Sequence, residues 1–487
     1  MLTGKTTYLI FIFMLLLSCN LHTTEKVYFD EYPPIIPDYI NIIIPNNIAP
    51  LNFSFESKKI LAEFNSDNGN LKIVGRNRIV IPQKKFKKFL QRNIGDTVWI
   101  SVSTIEDNQV IMFRPFFWVI KAEQIDPFLT YRLIEPGYEV WNKVKIAQRN
   151  VTNFSETSIA DNNLTDNSCL NCHIPNKHNP AQSFFHIRGK SSMTVIADGE
   201  DLQSIDTKME GAYSSMVYGS WHPSGKYIAF STNAVLPSTH SIHNKRAFVY
   251  DTVSDIILLN IRKKEVIKCG ELMKKNTLET FPEFSADGTK LYYCSATKVE
   301  LPEEHRNLQY SIYSIGFDTN ALKFGIHIDT LFNGSLKQKT ASELKASPNG
   351  KFLAFNCFSH GTFALWHNDA KIYLFNLNTR TIDSLPELNN NVNYANSYKS
   401  WSTNSHWLAF ASKRDDGLYS KIYFSYIDEE GHAHKPFVLP QKDPNYYDNI
   451  LKSYNVPELL QKPVLFDAFD IEDIYHNSFT EKLQYTK

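Results

Sequence analysis

The pattern with the most specific chemistry in this sequence is Cys169-Leu170-Asn171-Cys172-His173. Two thiols three positions apart can add to the two vinyl groups of a haem, and the adjacent imidazole can ligate its iron; this is the attachment signature of a c-type haem. With six cysteines and 15 histidines in 487 residues, chance supplies on the order of 0.002 such motifs. A structural zinc site would want a second Cys/His pair at finger spacing, and none is evident. A thioredoxin-like dithiol would want a βαβ context, whereas the polar stretch 155–167 before Cys169 reads as a loop. The expectation is one covalent haem c per chain, with Cys169 and Cys172 as anchors and His173 as proximal ligand.

A closed iron needs a sixth ligand from His or Met, and His178, His186, Met193, Met209 and Met216 are the nearby choices. His186 is preferred. It follows His173 by 13 residues, enough chain to cross from one haem face to the other, whereas His178 follows by only five. It stands in Phe184-Phe185-His186-Ile187-Arg188-Gly189, where apolar side chains would pack on a porphyrin and Arg188 would pair with a propionate. Met193 is the alternative distal ligand, although its place at the start of a strand suits a core. His222 reads as a turn residue. An iron left open would instead point to a haem enzyme such as a peroxidase.

The elements that must position these residues repeat along the chain. Residues 221–230 (WHPSGKYIAF) return as 284–293 (FSADGTKLYY), 346–355 (ASPNGKFLAF) and 401–410 (WSTNSHWLAF). Their turn positions Gly225, Gly288, Gly350 and Ser405 are spaced 63, 62 and 55 apart. Four strands per period of about 60 residues is the pattern of a β-propeller, because one blade cannot bury its own faces and must stack on neighbours. Residues 193–208 look like a further strand pair without the turn motif, so about five blades are expected.

These repeats resemble the TolB-like propellers, over residues 193–442. That resemblance implies a propeller scaffold and leaves activity open, since such propellers serve as interaction scaffolds, enzymes and sensors. A prolyl-oligopeptidase-like enzyme would append an α/β-hydrolase domain, but only about 45 residues follow Lys442 and no Gly-x-Ser-x-Gly elbow occurs. Residues 169–189 also resemble bacterial envelope lipoproteins that join the haem motif to a TolB-like propeller and carry a Phe-His-x-Arg stretch, here Phe185-His186-Ile187-Arg188. Those proteins have Gly-Gly-Thr where this chain has Ser191-Ser192-Met193-Thr194, a departure that makes Met193 a competing ligand.

At the N-terminus, Lys5, an apolar run over residues 8–17 and Ser18-Cys19 describe a secretory signal too short to span a membrane. Residues 16–19 (LLSC) resemble the bacterial lipobox, which implies lipidation at Cys19; a plain cleaved signal is the alternative. Asn20 follows rather than an Asp, so an outer-membrane address is expected. Cys269, Cys294 and Cys357 sit in apolar, strand-like contexts and read as buried thiols. Residues 84–92 read as a basic helix with a solvated face. Lys+Arg and Asp+Glu are both 51, which argues against a nucleic-acid binder, and 13% aromatic residues argue against disorder.

The expected organisation is all-β: signal peptide 1–18, tether 19–26, a β-sandwich-like domain 27–150, a haem attachment segment 151–192, a TolB-like propeller 193–442 and a C-terminal extension 443–487. The expected function is a lipid-anchored envelope cytochrome for electron transfer or redox sensing, partnered by a redox protein or another envelope protein. The alternative is a non-enzymatic propeller lipoprotein that binds protein or glycan around a structural haem.

Overall fold

Each of the four repeats forms the tight turn between the first two strands of an antiparallel blade. Gly225, Gly288 and Gly350 adopt φ of 70°, 74° and 70°, and Ser405 takes the same left-handed conformation at 65°. The N–H of each closes the turn on the carbonyl three residues earlier, at 2.8–3.0 Å. A glycine suits this conformation because it has no Cβ to clash. The computed structural model describes residues 25–106, 109–135, 143–210, 212–242, 245–390 and 393–486. The signal-like run and Cys19 lie outside them. Among the described residues no helix is long and apolar enough to cross a membrane.

The propeller has six blades, not five. Taken from their innermost strands, blades 3 to 6 begin at Met216–Trp221, Thr277–Phe284, Thr340–Ala346 and Asn396–Trp401. Blade 2 consists of Cys169–Asn176, Asn179–Arg188, Met193–Asp198 and Asp201–Asp206. Its first turn is the pair Lys177-His178, both at positive φ (45° and 70°), which is why it carries no repeat motif. Blade 1 joins the two ends of the chain. Its inner strand Ser453–Leu460 runs antiparallel to Phe128–Ile134, followed outward by Val144–Asn150 and Glu156–Asp161. The expected boundaries at residues 150 and 193 therefore fall inside blades 1 and 2, whereas that at 443 lies between blade 6 and the returning strand of blade 1.

The N-terminal region forms a mixed seven-stranded sheet and a two-stranded one, Phe53–Ser54 with Arg78–Ile79, and the expected sandwich is not confirmed. A helix, Gln83–Arg92, covers the larger sheet with Phe86, Phe89 and Leu90 and turns its lysines to solvent. The core of this region runs on without a break into the propeller, where Trp118, Trp401 and Trp407 belong to one apolar cluster. Trp407 also donates its indole N–H to Glu123 O at 2.8 Å. Beyond the last blade, the helix Ala468–Asn477 is capped by Asp467 and packs Ile471, Ile474 and Tyr475 over blades 1 and 2. The tail then adds short parallel strands to the outer edges of blades 2 and 3, at Glu481–Lys482 and Gln484–Tyr485.

Candidate functional site

The Cys-x-x-Cys-His motif lies in the innermost strand of blade 2, not in a loop between domains. Its pairing with the next strand slips between Asn171 and Ile174, and Cys172 adopts φ = 55°. The same irregularity recurs around the ring. Tyr218, Phe281, Glu343, Tyr398 and Val456 are the positive-φ residues of the other five inner strands, each beside a register shift. A β-bulge bends a strand and sharpens its twist. Six of them at one level let the inner strands splay from the axis.

The bulge decides where the motif's side chains go. At the bulge itself, a side chain meets the following blade: Glu343 accepts from Tyr398 N at 2.7 Å and from Ser397 Oγ. Cys172 does likewise, with the Tyr218 N–H of blade 3 directed at its sulfur. One residue further, a side chain meets the preceding blade. Lys399 donates from blade 6 to Asn356 Oδ1 of blade 5. His173 lies against the backbone of Thr130 and Val456 in blade 1. Burial pushes both Cys169 and Cys172 above the ordinary thiol range, with nearby Arg132 and Arg188 opposing it, so neither is an activated nucleophile.

His173 is 5% exposed, and neither ring nitrogen completes a hydrogen bond. Burial, with Arg132 adding to it, pulls its pKa down to about 3. It is therefore neutral when folded, while the unfolded chain binds a proton near pH 6.5. Stability conferred by the neutral ring is complete above that pH and is lost as pH falls toward 3. Between pH 7 and 5 this amounts to about 2 kcal/mol. Urea titrations at both values should show His173→Gln losing about 2 kcal/mol less than the wild type; equal losses would show that His173 does not carry the effect.

The other expected site residues are in the same blade. His186 pairs with Asn171 across the strands and is fully buried, its Nδ1 bonded to Thr194 Oγ1 at 2.7 Å and its Nε2 without a partner. Its ring packs between Phe184 and Phe230, facing blade 3. Arg188 donates to Met216 O at 2.7 Å. Met193 is buried in the apolar cluster shared with blade 1, as a core residue. His178 bonds Leu459 O through Nδ1 at 2.9 Å.

Fitted to a covalent haem, this set divides. Two free thiols and the unpartnered nitrogens of His173 suit it. The directions do not: Cys172 faces blade 3 and His173 faces blade 1, so as folded they do not present two thioether carbons and an iron ligand to one macrocycle. Among the described residues no cluster of three or more His, Cys, Asp or Glu side chains is placed to hold a metal ion.

Two residues beyond each bulge, all six blades meet at one mouth of the central channel. Ile174, Ser220, Glu283, Lys345, Ser400 and Glu458 surround a cavity of about 220 Å³. Lys177 Nζ pairs with Glu283 at 2.9 Å and Lys345 Nζ with Glu458 at 2.6 Å. The sequence reading missed this ring because its members differ in type and no motif marks them. Ser220, Glu283, Lys345 and Ser400 each stand five residues ahead of a repeat turn, but Ile174 and Glu458 precede none, so no shared signal covers the ring.

No protein-family model matches the chain, and no curated protein does. Among solved structures it is similar to prolyl oligopeptidase B from Galerina marginata, at 12% identity over 61% of this chain and 41% of that one, TM-score 0.36. The β-propeller domain of the Trilobed protease from Pyrococcus furiosus matches at 9% identity, covering 68% of this chain and 79% of that one, TM-score 0.32. A puromycin-hydrolysing peptidase of Mycobacterium tuberculosis matches at 10%, covering 72% and 52%, TM-score 0.33. The chain spans only about 41% of the length of the first of these. At such values these likenesses carry no argument, and the architecture is read from the chain's own sheets. The chain is an all-β protein built on a six-bladed β-propeller.

Proposed function

We propose that this protein is a lipid-anchored envelope scaffold whose propeller binds a partner, with Cys169-Leu170-Asn171-Cys172-His173 serving as an inner strand rather than a haem tether. The observation that supports this reading is the dispersal of Cys172 and His173 to different blades, in the same directions that Glu343 and Lys399 take at equivalent positions. Anchoring through Cys19 rests on the lipobox-like residues alone.

The competing reading is a mono-haem c-type cytochrome for electron transfer or redox sensing, with His186 or Met193 as distal ligand. It is supported by the motif's spacing and by the bare nitrogens of His173. It requires Cys172 and His173 to swing to one side of their strand. Intact mass of protein purified from the envelope of cells competent in cytochrome maturation separates the two. The expected species begins at Cys19, carries lipid and lacks a haem increment. A mass higher by one haem would replace the scaffold reading with the cytochrome. An unlipidated N-terminus would remove the anchor.

A further inference from the structure

The cavity where the six blades converge holds two ion pairs whose halves are unequally buried. Glu283 and Glu458 are 8% and 7% exposed, whereas Lys177 and Lys345 are 30% and 25% exposed. The carboxylates form the floor and the ammonium groups face the opening. The floor is occupied. Glu283 accepts from Lys177 Nζ, Ser220 Oγ and Ala346 N. The ammonium groups are not, since each carries three donors. Among the described residues Lys177 Nζ donates to Glu283 and Phe284 O, and Lys345 Nζ donates to Glu458 alone. The cavity thus offers unused cationic donors at its opening.

Its walls restrict what can use those donors. Trp221 and Trp401 are 2% exposed, and their indole N–H groups are committed to Ile174 O and Lys345 O. They offer no open ring face on which a sugar could stack. The four charges sum to zero, so a single negative charge is easier to accommodate than two, and neither a guanidinium fork nor a helix N-terminus lines the cavity for a phosphate. The volume accepts a group of amino-acid size.

We infer that this cavity binds a carboxylate, held between the ammonium groups of Lys177 and Lys345, on a ligand no larger than the terminal residue of an extended peptide. This rests on the scaffold reading and gives that scaffold a ligand class. The carboxylate belongs either to a free small molecule or to a peptide C-terminus.

Calorimetric titration of the full chain tests it with four probes: a pool of tetrapeptides with free C-termini, the same pool as C-terminal amides, a pool of free amino acids, and methyl phosphate. Free C-termini are expected to bind at least tenfold more tightly than the amides, since the lost contact is a charged hydrogen bond. Tighter binding of the amino-acid pool than of the tetrapeptides identifies a small-molecule source, and the reverse a peptide. Lys177→Gln, which leaves Glu283 bonded to Ser220 and Ala346, should weaken the preferred probe at least tenfold. Equal binding of acids and amides, preference for methyl phosphate, an unaffected Lys177→Gln, or no binding by any probe would each overturn the assignment. Intact mass decides the scaffold reading separately, so haem-free protein that ignores every probe removes this site alone.

Discussion

A chain ending at residue 452 is expected to lose the cooperative propeller fold. The deletion removes the inner strand of blade 1, whose register with Phe128–Ile134 runs from Phe128↔Leu460 to Ile134↔Ser453. Tyr454, Leu459 and Leu460 are at most 1% exposed, and burying each is worth roughly 1.5–3 kcal/mol. Their joint loss is of the order of a domain's whole stability, about 5–15 kcal/mol. The same deletion removes Glu458 from Lys345, uncovers Val144 and Ile146 beneath the helix Ala468–Asn477, and frees the outer edges of blades 2 and 3. Circular dichroism melts and limited proteolysis should show a broad, early transition and rapid cleavage. Recovery on adding the peptide 453–487 would locate the defect in ring closure. A single sharp transition within a few degrees of the full chain would show that the ring does not depend on this strand.

Glu458→Gln should cost about 3 kcal/mol, although it changes neither the size of the side chain nor the core around it. Lys345 sits among Glu458, Glu283 and Glu343, and although burial opposes its charge, these carboxylates hold its pKa above the ordinary lysine value. An amide leaves that ammonium partly desolvated without its closest counter-charge, and removing one partner of a buried pair costs about 3–5 kcal/mol. Lys345 is a quarter exposed and can recruit water, which places the estimate at the lower end. Lys345→Met with Glu458→Leu removes both charges and should cost less than the single change. Urea denaturation of the wild type and these two variants is the check. A double variant less stable than Glu458→Gln would mean that the pair itself, rather than the avoidance of a lone buried charge, stabilises the channel.

Much of the architecture was legible locally. The turns at Gly225, Gly288, Gly350 and Ser405 each needed a left-handed residue between two apolar runs, so four blades could be read from the sequence. Blade 2 escaped because Lys177-His178 turns its first hairpin in two residues, without the repeat motif. Its outer strands at 193–206 were seen as a stray pair. Blade 1 escaped because Thr130 and Glu458, neighbours in one sheet, are 328 residues apart. No periodicity connects them.

The same division holds for the site. Spacing placed two thiols and an imidazole within five residues, a property of the chain before it folds. The direction of each side chain is not. An ordinary strand sends alternate residues to opposite faces, but a bulge inserts an extra residue and resets that alternation. The bulge at Cys172 exists because six inner strands converge on one axis, as its counterparts at Tyr218, Phe281, Glu343, Tyr398 and Val456 indicate. The sequence by itself determined which groups are close along the chain and that the chain is built of β-hairpins. Only the closed ring decided that Cys172 meets blade 3, that His173 meets blade 1, and that Lys345 and Glu458 share a cavity, because those contacts are made by strands that pair or stack only once the chain's two ends have met.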